Sequence, residues 1–345
     1  MIGWDIGGAH LKAAWIAPDG SVGAVRQAPC RLWEGLDRLD AAFAAILADL
    51  PPARRHAVTM TGELVDLFPD RARGVAALVA AAAGRLPGEV RFWAGEAGFL
   101  DAAAAADAAQ RVASANWLAT AEVVARRCGH ALVVDIGSTT TDLVPVAAGR
   151  VAARGRSDRE RLEAGELVYT GLTRTPVMAV ADTLPWRGAT VPVMAEHFAT
   201  TADVHRVLGR LDETADQHPP ADGGPATPEA SARRLGRCIG VDLEEAPWPA
   251  WRRLAAAAAE RQMQTITRAA HRVLSAALPP DGLPDGIPDD APVVGAGVGR
   301  ALAAELARRL DRPYVDVAGA LGVGADHAEW AAHCAPAVAV ARLLA

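Results

Sequence analysis

Apolar and polar residues alternate along residues 1–15 as a strand, a tight polar turn and a second strand, and residues 22–29 continue as a third strand. Residues 35–50 change period. Leu36, Leu39, Phe43, Ile46, Leu47 and Leu50 recur at helical spacing, and Pro51-Pro52 stops the run. A short apolar strand at 57–60 delivers Thr61-Gly62-Glu63 to a loop. A helix at 73–85, a strand at 90–94 and a helix at 113–127 follow, and Gly129-His130 breaks the chain. Strand, turn and strand then recur over residues 131–146, with a return strand at 150–154. The mixed-charge run 157–166 lacks apolar periodicity and reads as a solvated face or a cleft wall. Short strands or buried runs are expected at 178–181 and 191–194, a helix over 198–212, and a mobile Pro/Gly/Asp-rich loop at 217–228. A short helix at 230–240 precedes the longest helical pattern, 251–278, which should end at Pro279-Pro280. Residues 293–310 read as strand, glycine loop and helix. A last strand at 313–317, a glycine-rich turn at 318–324 and a closing helix at 329–344 complete the series.

The two strand–turn–strand units carry related turns. The first is Asp5-Ile6-Gly7-Gly8-Ala9-His10-Leu11-Lys12. The second is Asp135-Ile136-Gly137-Ser138-Thr139-Thr140-Thr141-Asp142. In each, an apolar strand ends in Asp, and glycine and small residues expose backbone N–H groups suited to phosphate oxygens. Asp5 and Asp135 suit Mg²⁺, directly or through water. Gly7, Gly8, Gly137, Ser138, Thr139 and Thr140 are the phosphate-binding candidates, although alternation along a strand lets only some of the hydroxyls face one ligand. Lys12 neutralises a phosphate or is a strand-surface lysine. Gly295 and Gly297, in Val293-Val294-Gly295-Ala296-Gly297-Val298-Gly299, belong to a third phosphate-type loop or to an ordinary strand-to-helix turn. The repeated units predict an α/β protein of two lobes with the ligand cleft between them. The first lobe is residues 1–128, completed by 318–345, and the second is 129–317.

Three residues are candidate bases: Asp142, Glu63 and His10. For Asp142 the alternative is a hydrogen-bonded structural carboxylate. For Glu63 it is a carboxylate stabilised at a helix start. Asn116 lines the cleft or bonds backbone beside a core Trp117. The polar run 157–166, which holds Arg161, lies in sequence between the second turn and Tyr169-Thr170-Gly171, which makes it a candidate cleft wall.

Composition narrows the class. The 345 residues, 51% of them hydrophobic, suffice for two core-bearing units. A net charge of −6 argues against non-specific nucleic-acid binding, so an anionic substrate needs a local pocket or a metal. Cys30, Cys128, Cys238 and Cys334 are too dispersed for a zinc site and fit a reducing cytoplasm. The alanine-rich runs are too short to span a membrane, and no signal peptide is visible ahead of the first strand. Oligomeric state is not legible.

Asp5-Ile6-Gly7-Gly8, Asp135 to Asp142 and Gly295-Ala296-Gly297 resemble the phosphate loops and adenosine-side loop of the actin-like ATPase superfamily, with its ribonuclease H-like fold, and within it most those of the hydantoinase/oxoprolinase branch. Thr59 to Leu64, Ser114 to Trp117, Tyr169-Thr170-Gly171, Arg174 to Met178 and Ala202 to Arg206 narrow the match and together resemble the family linked to tetrahydromethanopterin-dependent one-carbon transfer. Archaeal members of that family serve methanofuran biosynthesis. The resemblance implies that an aminomethylfuran methyl diphosphate condenses with the phenol oxygen of a γ-glutamyl-tyramine, or of a tyrosine unit in a methylofuran-type cofactor, and that diphosphate leaves. It further implies Mg²⁺ as cofactor, the two turns as the diphosphate cradle, and Asn116, Arg161, Tyr169 and Arg174 as substrate-binding residues. The expected partners are these small molecules only. The alternatives on the same loops are an ATP-dependent small-molecule kinase, a hydantoinase/oxoprolinase-like hydrolase and a non-catalytic nucleotide sensor.

Overall fold

All five residues of β1 (Ile2–Ile6) are buried, and this makes it the centre of the first sheet. The structure is a computed structural model that describes residues 1–276 and 286–345. The expected helix stop at Pro279-Pro280 lies outside the described residues. β2 (His10–Ile16) and β3 (Val22–Pro29) continue one side of β1 antiparallel, while β4 (Arg55–Met60) and β5 (Glu89–Trp93) continue the other side parallel, with β6 (Phe99–Leu100) at the edge. Trp4 anchors this sheet. Its indole donates to His56 Nδ1 at 3.1 Å, and its ring meets Phe43 edge-on at 5.1 Å.

The second sheet repeats the plan. β7 (Ala131–Ile136) pairs antiparallel with β8 (Thr141–Ala147), which carries β9 (Arg150–Val151) and β10 (Leu167–Val168). Beyond a two-stranded ribbon, β11 (Thr183–Trp186) and β12 (Ala189–Pro192), the chain returns to the second sheet. There β13 (Val293–Ala296) lies parallel to β7, and β14 (Tyr314–Asp316) parallel to β13. The α/β class with two repeated sheets is therefore as expected. In both hairpins the turn closes with the same bond: Gly7 N–H donates to the His10 carbonyl at 3.0 Å, and Gly137 N–H to the Thr140 carbonyl at 2.9 Å.

The helix Ala335–Leu344 packs against β1, β2, β4 and the helix Asn116–Ala125. The approach is so close that a Cβ on Gly3 would run into the Ala337 carbonyl oxygen. The expected single helix over 329–344 is two helices, Ala325–His333 and Ala335–Leu344. Pro336 lacks an N–H, so it fits the first turn of a new helix and not the interior of a continuous one. Among the described residues no helix is long and apolar enough to cross a membrane.

Several local expectations fail for local reasons. Residues 178–181 are not a strand, because the helical turn Val177–Val180 occupies them. The strand before β12 is instead Thr183–Trp186. Arg187 (φ 48°) and Gly188 (φ 91°) supply the paired left-handed residues of a tight hairpin, and an edge ribbon tolerates Pro185. The helix expected over 198–212 spans only Thr201–Val207. The charged run is the helix Asp158–Ala164, capped reciprocally by Ser157 and Glu160. Arg161 and Glu166 are buried in it while Arg159, Glu160 and Glu163 stay exposed, so the run is both a wall on its inner side and a solvated face on its outer side. The loop read as mobile is fastened across the molecule: Gln27 donates to Gln217 at 3.2 Å, and His218 Nε2 lies 3.1 Å from the Ala9 carbonyl.

Candidate active site

The two hairpin turns open on one cavity of about 540 Å³. Asp5, Gly7, Gly8, His10 and Lys12 line it from the first hairpin, and Asp135, Gly137, Ser138, Thr139, Thr140 and Asp142 from the second. Asn116, Arg161, Tyr169 and Arg174 complete the predicted residues on its wall. Three predicted residues stand elsewhere. Gly295 is covered by the Tyr314 ring. A Cβ on Gly297 would strike the Ile136 carbonyl and Asp135 Oδ1, so these glycines let neighbouring groups pack close behind the cavity. Glu63 is buried behind Ser114, whose hydroxyl donates to Glu63 Oε1 at 2.7 Å.

Strand register sets the electrostatics. In the first hairpin Asp5 stands opposite Lys12, and in the second Asp135 stands opposite Asp142. The first pair is acid and base, with Lys12 Nζ 4.0 Å from Asp5 Oδ2. The second is two acids, which repel when placed directly across a ladder. Burial and then the charge of Asp142 push the Asp135 carboxyl up to about 7. Burial also raises Asp5, against the pull of Lys12. For Asp142 burial is partly offset by Arg161, whose Nη2 lies 2.9 Å from Asp142 Oδ1. Arg161 stacks over the Trp117 ring at 3.9 Å and donates to the Glu166 carbonyl at 3.1 Å.

His10 is driven down to about 2, by burial first and then by the neighbouring charges of His218, Lys12 and Arg174. A neutral imidazole that resists protonation this strongly is a hydrogen-bonding group and a poor proton acceptor. Its Nε2 is buried without a partner. Burial raises Glu63, against the Ser114 hydrogen bond, and its second carboxylate oxygen is also unpartnered. Asn116, the first residue of its helix, accepts at Oδ1 from Trp117 N–H at 2.7 Å.

The carboxylates fit a divalent cation. Asp5 Oδ1 is buried with no hydrogen-bond partner, and three acids face Lys12 and Arg161 in one cavity. Among the described residues the three do not converge as a closed cage. One or two of them plus phosphate oxygens and water is the usual way that Mg²⁺ is held. Asp212, Glu329 and His333 do converge, off this wall, where Arg300 already bridges Glu329 at 3.0 Å.

Sequence reasoning missed Ser114, Asp158, Trp33 and His218. Ser114 adopts φ 51°, an uncommon backbone for a non-glycine residue. Its hydroxyl also lies 3.4 Å from Asp158, which pairs with Arg71 at 2.5 Å. His218 stacks edge-on against His10 at 4.7 Å and lies 5.9 Å from Trp33. None of these contacts leaves a local signal, because each joins distant segments.

Asp135 yields a stability prediction. Its folded value is raised above the usual 3.8, so the folded chain holds a proton that the unfolded chain has released. Its contribution is complete below about pH 4 and is lost as the pH rises through about 7. Without divalent cation, urea midpoints of the wild type should therefore fall over this window more steeply than those of Asp135→Asn. Parallel pH profiles would refute the coupling.

Residues 54–344 match the profile of the hydantoinase/oxoprolinase family. The chain is 30% identical over 245 residues, 71% of its own length and 72% of the relative's, to the (4-{4-[2-(gamma-L-glutamylamino)ethyl]phenoxymethyl}furan-2-yl)methanamine synthase of Methanocaldococcus jannaschii. It is 34% identical over 116 residues, 34% of its length and 52% of the relative's, to the protein of the same name from Methanococcus vannielii. Among solved structures, it is similar to a ROK family glucokinase from Streptomyces griseus in complex with glucose and AMPPNP, with TM-score 0.46 and 14% identity over 99% of this chain and 98% of that one. It is also similar to the (R)-2-hydroxyglutaryl-CoA dehydratase component A of Acidaminococcus fermentans, with TM-score 0.44 and 11% identity over 100% and 99% of the two chains. Matched over residues 54–344 and aligned over most of its length with a named synthase, the chain belongs to the hydantoinase/oxoprolinase family.

Proposed function

We propose that this protein is an alkyltransferase of methanofuran or methylofuran biosynthesis. It joins an aminomethylfuran methyl diphosphate to the phenol oxygen of a γ-glutamyl-tyramine, or of a tyrosine unit, and releases diphosphate. The observation that carries this reading is the pairing of two phosphate-type turns, each led by an aspartate, on one cavity. The synthase names of the relatives support the direction of the chemistry.

In the proposed reaction the bond from the furfuryl carbon to the diphosphate oxygen breaks, and its electron pair leaves with diphosphate. A new bond forms from that carbon to the phenol oxygen. Backbone N–H groups of both turns and the Ser138, Thr139 and Thr140 hydroxyls of the second hold the departing oxygens, and Lys12 offsets their charge. Asp5 and Asp135 would hold Mg²⁺, which supplies Lewis-acid stabilisation of the leaving charge. The phenol proton passes by way of the Ser114 hydroxyl, on the cavity wall, to Glu63, bonded behind it at 2.7 Å. Burial raises Glu63, which makes it a stronger proton acceptor than an exposed carboxylate. Arg161 is engaged by Asp142 and keeps the wall in place.

The test is direct. With Mg²⁺, furan diphosphate and γ-glutamyl-tyramine, the purified protein should release diphosphate and form the phenoxymethyl ether in equal amounts, while ATP alone is left intact. ATP turnover coupled to phosphorylation of a small molecule would replace this reading with that of a kinase.

A further inference from the structure

A second cavity of about 320 Å³ lies beside the first, and Trp33 and Arg174 stand on the walls of both. It is at the small end of ligand-sized pockets. Its charged side chains are mostly spent on one another. Arg31 pairs with Glu34 at 3.0 Å, and Arg206 pairs with Asp216 at 2.6 Å and Glu213 at 2.9 Å. Arg174 differs. Among the described residues no carboxylate lies within 4.0 Å of it. Its Nη1 reaches Thr139 of the second turn at 3.4 Å, and its guanidinium lies 5.1 Å from the Trp33 ring centroid. A half-buried guanidinium without a counter-charge carries a desolvation cost that an incoming anion removes. Asp203, also on this wall, is neutralised by Arg234 at 2.8 Å, and the aromatic side chains beside Arg174 are Trp33, His197 and His218. His218 lies against Trp33, and burial, followed by the Arg174 charge, holds it down to about 4, so it is neutral at pH 7.

We propose that this annexe is a separate subsite for an aromatic acceptor bearing a carboxylate arm, with the arm's carboxylate on Arg174 and the ring against Trp33 and His218. The assignment rests on the transferase reading for which molecule arrives there. It adds that the arm and the diphosphate occupy different cavities, separated by one stacked guanidinium. An arginine fork suits this task because it bonds a carboxylate through two parallel N–H groups while its face stacks on an indole. Diphosphate is the competing anion, since Arg174 also touches the second turn.

Binding without turnover separates the two. Calorimetry on the full chain, without furan diphosphate, should show γ-glutamyl-tyramine binding about tenfold more tightly than tyramine, the difference expected of one charge-assisted pair. Arg174→Gln should abolish that preference, leave tyramine unchanged and alter Mg²⁺-diphosphate affinity by less than about threefold. Arg174→Lys, which keeps the charge and loses the fork, should restore part of the preference, and melting curves check that each variant is folded. Equal affinity of the wild type for the two amines would overturn the subsite. So would an Arg174→Gln variant that loses diphosphate and keeps the glutamyl preference. If the preference holds and no diphosphate is released in the full reaction, the transferase reading fails and the subsite stands. If turnover occurs with the same kcat/KM for both amines, the subsite fails alone.

Discussion

Replacing Asp135 by asparagine is expected to lower diphosphate release by about 10²-fold or more, with a melting temperature equal to or above that of the wild type. The two effects have one cause. Asp135 stands directly across the ladder from Asp142, and its carboxyl is pushed up to about 7 by burial and then by that neighbour. Without a cation, the ionised carboxylate is a liability to the fold. Asparagine keeps its size and discards the repulsion. With Mg²⁺ and diphosphate present the sign reverses, because the negative charge is then the ligand. The measurements are steady-state diphosphate release, diphosphate affinity with and without Mg²⁺, and thermal melts of both proteins. A stable variant that turns over like the wild type would make Asp135 a turn residue and remove it from the site.

Arg161→Met is expected to cost about 3–5 kcal/mol of folding stability, the scale seen when one partner of a buried ion pair is removed. The side chain is only 2% exposed. It spends its charge on Asp142, its face on Trp117 and one N–H on the Glu166 carbonyl. Methionine retains much of the volume and none of these contacts, and it strands the Asp142 charge. Arg161→Met combined with Asp142→Asn should therefore recover most of the loss, since the orphaned charge is gone. Urea denaturation of the two single variants and the double variant closes the cycle. A loss below about 1 kcal/mol in Arg161→Met, the level of an exposed pair, would mean that the pair is solvated.

The hairpins were legible because their signals are local. Lys12 follows Asp5 by seven residues and Asp142 follows Asp135 by seven, and the structure places each pair in register across its own ladder. The contrast between an acid–base pair and an acid–acid pair was thus already present in the spacing. What escaped reading depends on distant partners. The 157–166 run looks solvated by composition, yet Arg161 is drawn inward by Asp142 and Trp117. The 217–228 loop looks mobile, yet His218 is seated on the first hairpin. Glu63 was singled out as a base without Ser114, because the bond joining them spans fifty-one positions of sequence and requires φ 51° at the serine. The break at Cys334 is the opposite case: Pro336 was in plain view, and the apolar periodicity of the closing segment masked it.

The backbone notch at Gly3 bears on how the chain is made. Its occupant, the helix Ala335–Leu344, leaves the ribosome more than three hundred residues after the notch itself. Until then β1 presents one uncovered apolar flank, and the first sheet waits unfinished while the second is synthesised. Burial of that flank therefore waits for this helix to emerge, when Arg55 and the Leu344 carbonyl come within 3.2 Å. During translation the nascent chain is thus a client for whatever shields sticky surfaces, and its first sheet is completed after the second although it is encoded first.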